Sequence, residues 1–390
     1  MSQMPPQTLA CQRHLFDLET DDVFLNGAYM SPQLKVVYAA GMHGLSRKNR
    51  PSWFKAEDFF EPVAEVQELF AKLIHCSEPE RIALIPSVSY GMATVAANLH
   101  LRSGQNIVLP VDQFPSNYYS WSRLCAERGA EFRLVHCPED SSDRSAAWTT
   151  ALLDAIDEKT AMLACAHIHW ADGTLYDLKS LRAHTRNMGA WLVIDGTQSV
   201  GALPFSVEAF EPDALICAGY KWLMGPYSTG YAYYGPVFDS GNPIEENWIN
   251  RQDSHNFKNL VNYQEHSRPG AARYSVGEQS NFVFIPMQIA ALQQLLAWTP
   301  EAIQDYCSQL WATVIPELAQ LDIHLHEKRA EHLVGFSLPD RLDADRLRKL
   351  LEERRIKVSF RGESMRVSPN VYNREDELGH LVEALGAALS

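Results

Sequence analysis

The stretch WLVIDGTQSVGALPFSVEAFEPDALICAGYKWLMG, residues 191–225, contains two short apolar runs, Trp191–Ile194 and Ala214–Cys217. Each has the length of a buried strand. The first ends directly on Asp195, and the second leads within a few residues to Tyr220 and Lys221. In open α/β sheets, ligands bind outside the carboxyl ends of the strands. A carboxylate and a lysine delivered to that rim from two strands predict a site rather than a surface.

A lysine and a carboxylate so placed suit pyridoxal 5'-phosphate (PLP). The amine forms a Schiff base with the aldehyde, and the acid pairs with the pyridine nitrogen. An opposite charge nearby keeps that nitrogen protonated, so the ring withdraws electrons from a substrate's α-carbon. Asp195 and Gln198 form a D-x-x-Q pattern, and Lys221 stands ahead of Trp222-Leu223-Met224-Gly225-Pro226. A lone lysine is usually a solvated surface group; the ordered set is what carries weight. In that set the chain resembles the class V aminotransferase family of fold-type I PLP-dependent enzymes. The resemblance runs from Leu25 to Asn373 and embraces isopenicillin N epimerase-like, cysteine desulfurase-like and kynureninase-like branches. It implies an α/β fold: a large domain with a mostly parallel central sheet flanked by helices, plus a smaller C-terminal α+β domain.

With 390 residues the chain exceeds the usual size of one core, so two domains are expected. The expected division is an arm over 1–20, a PLP-binding domain over 21–270 and a small domain over 271–390. A formal charge of −14 gives no global attraction to nucleic acid, and no basic cluster supplies one. No run approaches the length of a membrane span, and the amino terminus lacks a signal-peptide core. Seven scattered cysteines argue for a reducing compartment, so the expected location is the cytoplasm.

Along the chain, Val23-Phe24-Leu25-Asn26-Gly27-Ala28 reads as a short strand followed by a turn, and it resembles a family segment near the substrate, which makes Asn26 a candidate contact. Ser31-Pro32 reads as a helix start. Phe59, Val63, Val66, Leu69, Phe70 and Leu73 recur at helical spacing. Residues 81–85 read as a strand running through Pro86-Ser87-Val88-Ser89-Tyr90 into a helix, a junction whose free N–H groups suit an anion. The family seats the cofactor phosphate there, on positions matching Ser89 and Tyr90. Residues 106–110 form another strand, and after it Phe114 is expected to lie on the pyridine face.

Further strands are expected at 131–136 and 161–168, then a helix at 178–188 and a strand at 227–234 closing the sheet. His167 and His169 share a strand face without a plausible third ligand, so no metal is expected. Trp170 is expected on the wall of the substrate pocket. Tyr220 stands where many relatives carry histidine, and its hydroxyl is expected to reach the phosphate. Residues 238–270 read as an irregular loop, which the resemblance extends across a dimer interface. Glu278 stands where many relatives have a threonine that contacts the partner's phosphate; as a carboxylate it would repel that phosphate and pair with a cation instead. The last part is expected to hold helices at 287–296, 300–318, 343–354 and 374–389, with strands at 323–326, 333–337, 356–360 and 365–368.

Arg366-Val367-Ser368 matches the family's R-x-S segment, in which the arginine grips the substrate α-carboxylate. A guanidinium makes a two-bond fork that lysine does not. Arg361 is the runner-up for that role. Residues 357–365 hold no cysteine, which argues against a persulfide-forming desulfurase. The expected activity is an aminotransferase acting on a small-molecule amino acid, in a homodimer. The alternative is a PLP-dependent lyase or epimerase, and the third reading is a non-catalytic PLP-binding relative. Catalytic roles fall to Lys221 and Asp195, and cofactor contacts to Ser89, Tyr90, Phe114, Gln198 and Tyr220.

Overall fold

The computed structural model describes residues 9–138, 143–362 and 364–389; the first eight residues of the expected arm lie outside them. The chain begins with β1 (Val23–Phe24), α1 (Lys35–Arg47), α2 (Glu61–Leu73), β2 (Ile82–Ile85) and α3 (Val88–Asn98). Strands and helices then alternate: β3 (Asn106–Pro110), α4 (Tyr119–Arg128), β4 (Glu131–Val135), α5 (Arg144–Ala155), β5 (Thr160–Ala166), α6 (Leu178–Met188) and β6 (Trp191–Asp195). Next come α7 (Val207–Phe210), β7 (Ala214–Ala218) and β8 (Gly230–Tyr234). The last part holds α8 (Phe284–Trp298), α9 (Pro300–Ala312), α10 (Ile315–Gln320), β9 (Val334–Ser337), α11 (Ala344–Glu353), β10 (Ile356–Lys357), β11 (Ser359–Arg361), β12 (Ser364–Val367) and α12 (Glu377–Leu389).

Seven strands form the central sheet in the order β2-β8-β7-β6-β5-β3-β4. Only β8 runs against its neighbours, and the rest is parallel. Parallel strands covered on both faces read as unbroken apolar runs. Accordingly β5 and β7 are buried at every residue. Alternate side chains enter two packed layers. Leu163, Leu192, Ile194 and Leu215 meet Phe70 of α2, Trp148 of α5 and Leu181 of α6. Met162, Val193 and Ile216 meet Met92 and Val95 of α3 and Trp121 of α4. Gly91 lets α3 lie close to the sheet, since a Cβ there would stand 2.7 Å from Ile216.

The second sheet, β11-β12-β9, is antiparallel. The chain's start is built into this part of the molecule. β1 pairs in parallel with β10, Asn26 bridges Ser368, and buried Phe16 packs on Tyr372 with ring centroids 5.1 Å apart. The segment after β5 is pinned to β9: a Cβ on Gly173, whose φ is +78°, would strike the Leu333 carbonyl.

Four local expectations need correction. Residues 323–326 form no strand; Asp322 turns left-handed (φ +65°), and Ile323 donates back to Leu318 at the end of α10. The strand expected over 227–234 starts at Gly230, after a turn with Ser228 at φ +65°. It inserts between β2 and β7, leaving β2 at the sheet edge. The helix over 300–318 breaks at Thr313–Val314, where Pro316 lies in the first turn of α10. The run 356–360 splits into β10 and β11, which pair with different strands.

Candidate active site

Because β2, β3, β5, β6 and β7 run the same way, their carboxyl ends open onto one rim. Between β3 and β5 the strand order reverses, the switch point at which such sheets leave a crevice. A cleft of about 340 Å³ lies there. Ser87 and Ser89 follow β2, Gln113 and Phe114 follow β3, Ile168 and Trp170 follow β5, and Asp195, Thr197 and Gln198 end β6. Tyr220 and Lys221 follow β7, and Tyr227 to Thr229 precede β8.

Asp195 and Lys221 are both buried against this cleft. Burial raises the Asp195 carboxyl above its ordinary range, opposed by hydrogen bonds from Thr197 and by the charge of Lys221. The Thr197 main-chain N–H donates to Asp195 Oδ1 at 3.0 Å. Burial brings the Lys221 ammonium down to about 8; Asp195 opposes this, while Arg366 and Arg361 push it further down. Lys221 Nζ lies 5.4 Å from the Phe114 ring centroid and 5.9 Å from that of Tyr220. An amine with its pKa lowered this far is neutral in a useful fraction near neutral pH, as a carbonyl-attacking lysine needs.

Gln198 lines the cleft, yet its amide is anchored from behind. Trp222 Nε1–H donates to Gln198 Oε1 at 2.9 Å, and Gln198 Nε2 donates to the Ala28 carbonyl at 3.1 Å. One amide hydrogen remains for a ligand. Behind it, fully buried His332 donates from Nε2 to the Gln198 carbonyl at 2.7 Å, and its Nδ1 accepts from Gln304 at 2.8 Å. These two bonds fix the imidazole tautomer.

At the other wall, Ser87 caps α3 by accepting from the Tyr90 N–H at 3.2 Å, and its hydroxyl lies 3.0 Å from that of Ser89. Ser89 lines the cleft, whereas the Tyr90 side chain does not: its hydroxyl donates to Glu245 at 3.2 Å. Adjacent residues on a helix point about 100° apart, so Ser89 and Tyr90 diverge. Tyr220 lies against Tyr227, ring centroids 4.5 Å apart. Glu278 is exposed and, among the described residues, makes no ion pair within the chain.

Arg366 is buried, donating from Nε to Ser359 Oγ at 3.1 Å and from Nη1 to the Trp170 carbonyl at 2.9 Å. Its Nη2 is buried with no partner among the described residues. The Trp170 indole lines the cleft, edge-on to Phe114 at 5.6 Å between centroids. Asn26 is not on the cleft wall; its Oδ1 is buried without a partner beside the Ser368 bridge. His167 packs on Phe205 and Phe210, and His169 faces Asp172. The described residues include no group of three or more possible metal ligands and no helix long and apolar enough to cross a membrane. Cys307 is fully buried in α9, where burial pushes its thiol far up.

The sequence reading missed Thr197, Tyr227, Ser228 and Thr229. Thr197 sits inside the D-x-x-Q pattern, and its Oγ1 accepts from the Ala218 N–H at 3.1 Å, tying β6 to β7. A hydroxyl two residues from the rim carboxylate was the available signal. Tyr227 to Thr229 lie in an irregular turn with no periodicity to place them.

The site suits PLP: a buried carboxylate for the ring nitrogen, a depressed lysine for the aldehyde, an aromatic face and a hydroxyl-rich helix start for the phosphate. The Aminotransferase class-V family pattern matches residues 49–374. The chain is 26% identical over 348 residues to the isopenicillin N epimerase of Streptomyces clavuligerus, covering 83% of each. Its fold is similar to a C-DES variant with glycine covalently linked to the PLP cofactor, with TM-score 0.82 and 20% identity over 96% of this chain and 98% of that one. It is also similar to the cysteine desulfurase of Thermococcus onnurineus NA1, with TM-score 0.81 and 18% identity over 99% and 100% of the two chains. With that rim chemistry and a family match spanning most of its length, the chain belongs to the class V aminotransferase family of fold-type I PLP-dependent enzymes.

Proposed function

We propose that the protein is a PLP-dependent aminotransferase acting on an α-amino acid. The observation that carries the amino-acid reading is Arg366, a buried guanidinium near Lys221 whose Nη2 has no partner among the described residues. A substrate α-carboxylate would supply that partner. When bound, PLP supplies an electron-withdrawing ring that acidifies the substrate α-carbon. Asp195 would hold the ring nitrogen protonated, Phe114 would lie on the ring face, and Ser87 and Ser89 would receive the phosphate. The Lys221 amine then removes the α-proton and returns one, as a base whose pKa lies near working pH.

The second reading is an epimerase or lyase, and its epimerase form is favoured by the similarity to isopenicillin N epimerase over most of both chains. Single-turnover assays with amino acids separate the two. An aminotransferase yields one equivalent of oxo acid per cofactor; an epimerase exchanges the α-proton with deuterated water and yields none. A lyase instead releases ammonia continuously without an acceptor. Absence of any reaction or spectral change with all amino acids would remove the proposal.

We also propose a homodimer in a reducing compartment. Tyr38, Met42 and Leu45 of α1 and Tyr263 of the 238–270 loop are exposed, an apolar surface that a second copy would cover. All seven cysteines are free thiols, as suits the cytoplasm.

A further inference from the structure

An α-carboxylate requires one guanidinium, and two lie against Trp170, which lines the cleft. In the β11–β12 ladder Ser359 stands opposite Arg366, and Arg361 stands opposite Ser364. Residues two apart on a strand share a face, so Arg361 is the diagonal neighbour of Arg366 on the same face of the sheet. Both lie against one indole: the Trp170 ring centroid is 5.3 Å from Arg361 Cζ and 5.7 Å from Arg366 Cζ.

Neither is paired with an acid among the described residues. Arg366 bonds Ser359 and the Trp170 carbonyl, and Arg361 bonds the carbonyl of its neighbour Phe360 at 2.7 Å. Several partly buried arginines elsewhere are paired with carboxylates, as Arg81 with Asp239, Arg133 with Asp157 and Arg182 with Asp213, while Arg268 and Arg273 are not, among the described residues. Lys221, within electrostatic range of both, has Asp195 as its counter-charge, which leaves the two guanidiniums without one among the described residues. So much uncompensated charge in a chain of net charge −14 calls for anions from outside. In the reading above the cofactor phosphate would go to Ser87 and Ser89 at the start of α3, away from these arginines.

We propose that the substrate is an amino acid with a second carboxylate on its side chain, and that Arg361 receives it. This rests on the amino-acid reading above. Trp170 acts as the common platform, holding the two forks at a fixed spacing through cation–π contact. The specificity is therefore for the distance between two carboxylates.

The test is calorimetric binding to the PLP-loaded protein of succinate and glutarate against butyrate and pentanoate, none of which carries an amino group. The dicarboxylates should bind roughly 10- to 100-fold more tightly, and Arg361→Gln should collapse that ratio toward one. Arg361→Lys should keep part of it. Equal binding of mono- and dicarboxylates by the wild type, or a ratio untouched by Arg361→Gln, would overturn the inference while leaving amino-acid chemistry intact. Failure of every carboxylate and every amino acid to bind would remove both.

Discussion

Arg366 donates to the main-chain carbonyl of Trp170 at 2.9 Å, while its Nη2 is buried with no partner among the described residues. The guanidinium is thus held in place with part of its hydrogen-bonding capacity unspent. Burial and the neighbouring Arg361 push its pKa down to about 9, a measure of how poorly the chain alone accommodates the charge.

Two outcomes are expected from this. Arg366→Lys should raise the apparent dissociation constant for reactive amino acids by roughly 10- to 100-fold, because an ammonium lacks the planar fork. Arg366→Met should leave the ligand-free protein at least as stable as wild type, since it removes an uncompensated buried charge for an apolar group. Spectral titration checks the first and thermal unfolding the second. Unchanged affinity together with a large loss of stability would make Arg366 a structural residue.

The Lys221 amine attacks an aldehyde only when neutral. With its pKa near 8, the rate of cofactor loading onto the ligand-free protein should rise about tenfold per pH unit below 8 and level off above it. An ordinary lysine would not level off until about pH 10.4. Arg361→Gln removes a charge that pushes this pKa down, so the midpoint should move upward. Stopped-flow absorbance at a series of pH values reads both. Lys221→Ala should abolish the Schiff-base band outright.

The parts of this molecule legible in its sequence are those where covalent neighbours dictate the outcome. Asp195 and Lys221 were readable because a buried parallel strand leaves a recognisable apolar run, with Asp195 the next residue along in one case and Lys221 a few residues on in the other. Tyr90 was not, because which way a side chain leaves a helix start depends on the turn that precedes it; here Ser87 caps α3 and Tyr90 reaches Glu245. The order of β8 within the sheet was also hidden. Its sequence is as apolar as an edge-closing strand would be, and only its pairing with both β2 and β7 places it inside. Arg361 and Arg366 share a face through ladder register, which no local pattern encodes.

Trp222 and Gln198 form a buried hydrogen bond behind the cleft, 2.9 Å long. Trp222→Phe would leave Gln198 Oε1 without its donor and free the amide to turn. The expected cost is about 1–3 kcal/mol of stability, the usual penalty for a buried acceptor left unpaired. Cofactor affinity should fall as well, because Gln198 would no longer be held in one orientation. Denaturant unfolding measures the first effect, and cofactor release on dilution the second. Loss of stability with unaltered release would separate Gln198 from the cofactor.

The same region should make the fold sensitive to acid. His332 is fully buried between Gln198 and Gln304, and burial holds its pKa down at about 4, against 6.5 for a free histidine. Between those values the unfolded chain binds a proton that the folded chain does not. Stability therefore falls as pH drops from 6.5 through 4, with His332 contributing on the order of 3 kcal/mol across that window. His332→Gln can still donate to the Gln198 carbonyl but has no charge to gain. The variant should be less stable than wild type at pH 7, since its shape fits the imidazole's place imperfectly, and the difference should narrow or reverse at pH 4.5. Urea unfolding of both proteins at the two pH values provides the comparison. A difference that stays constant with pH would show that the buried imidazole is not what titrates.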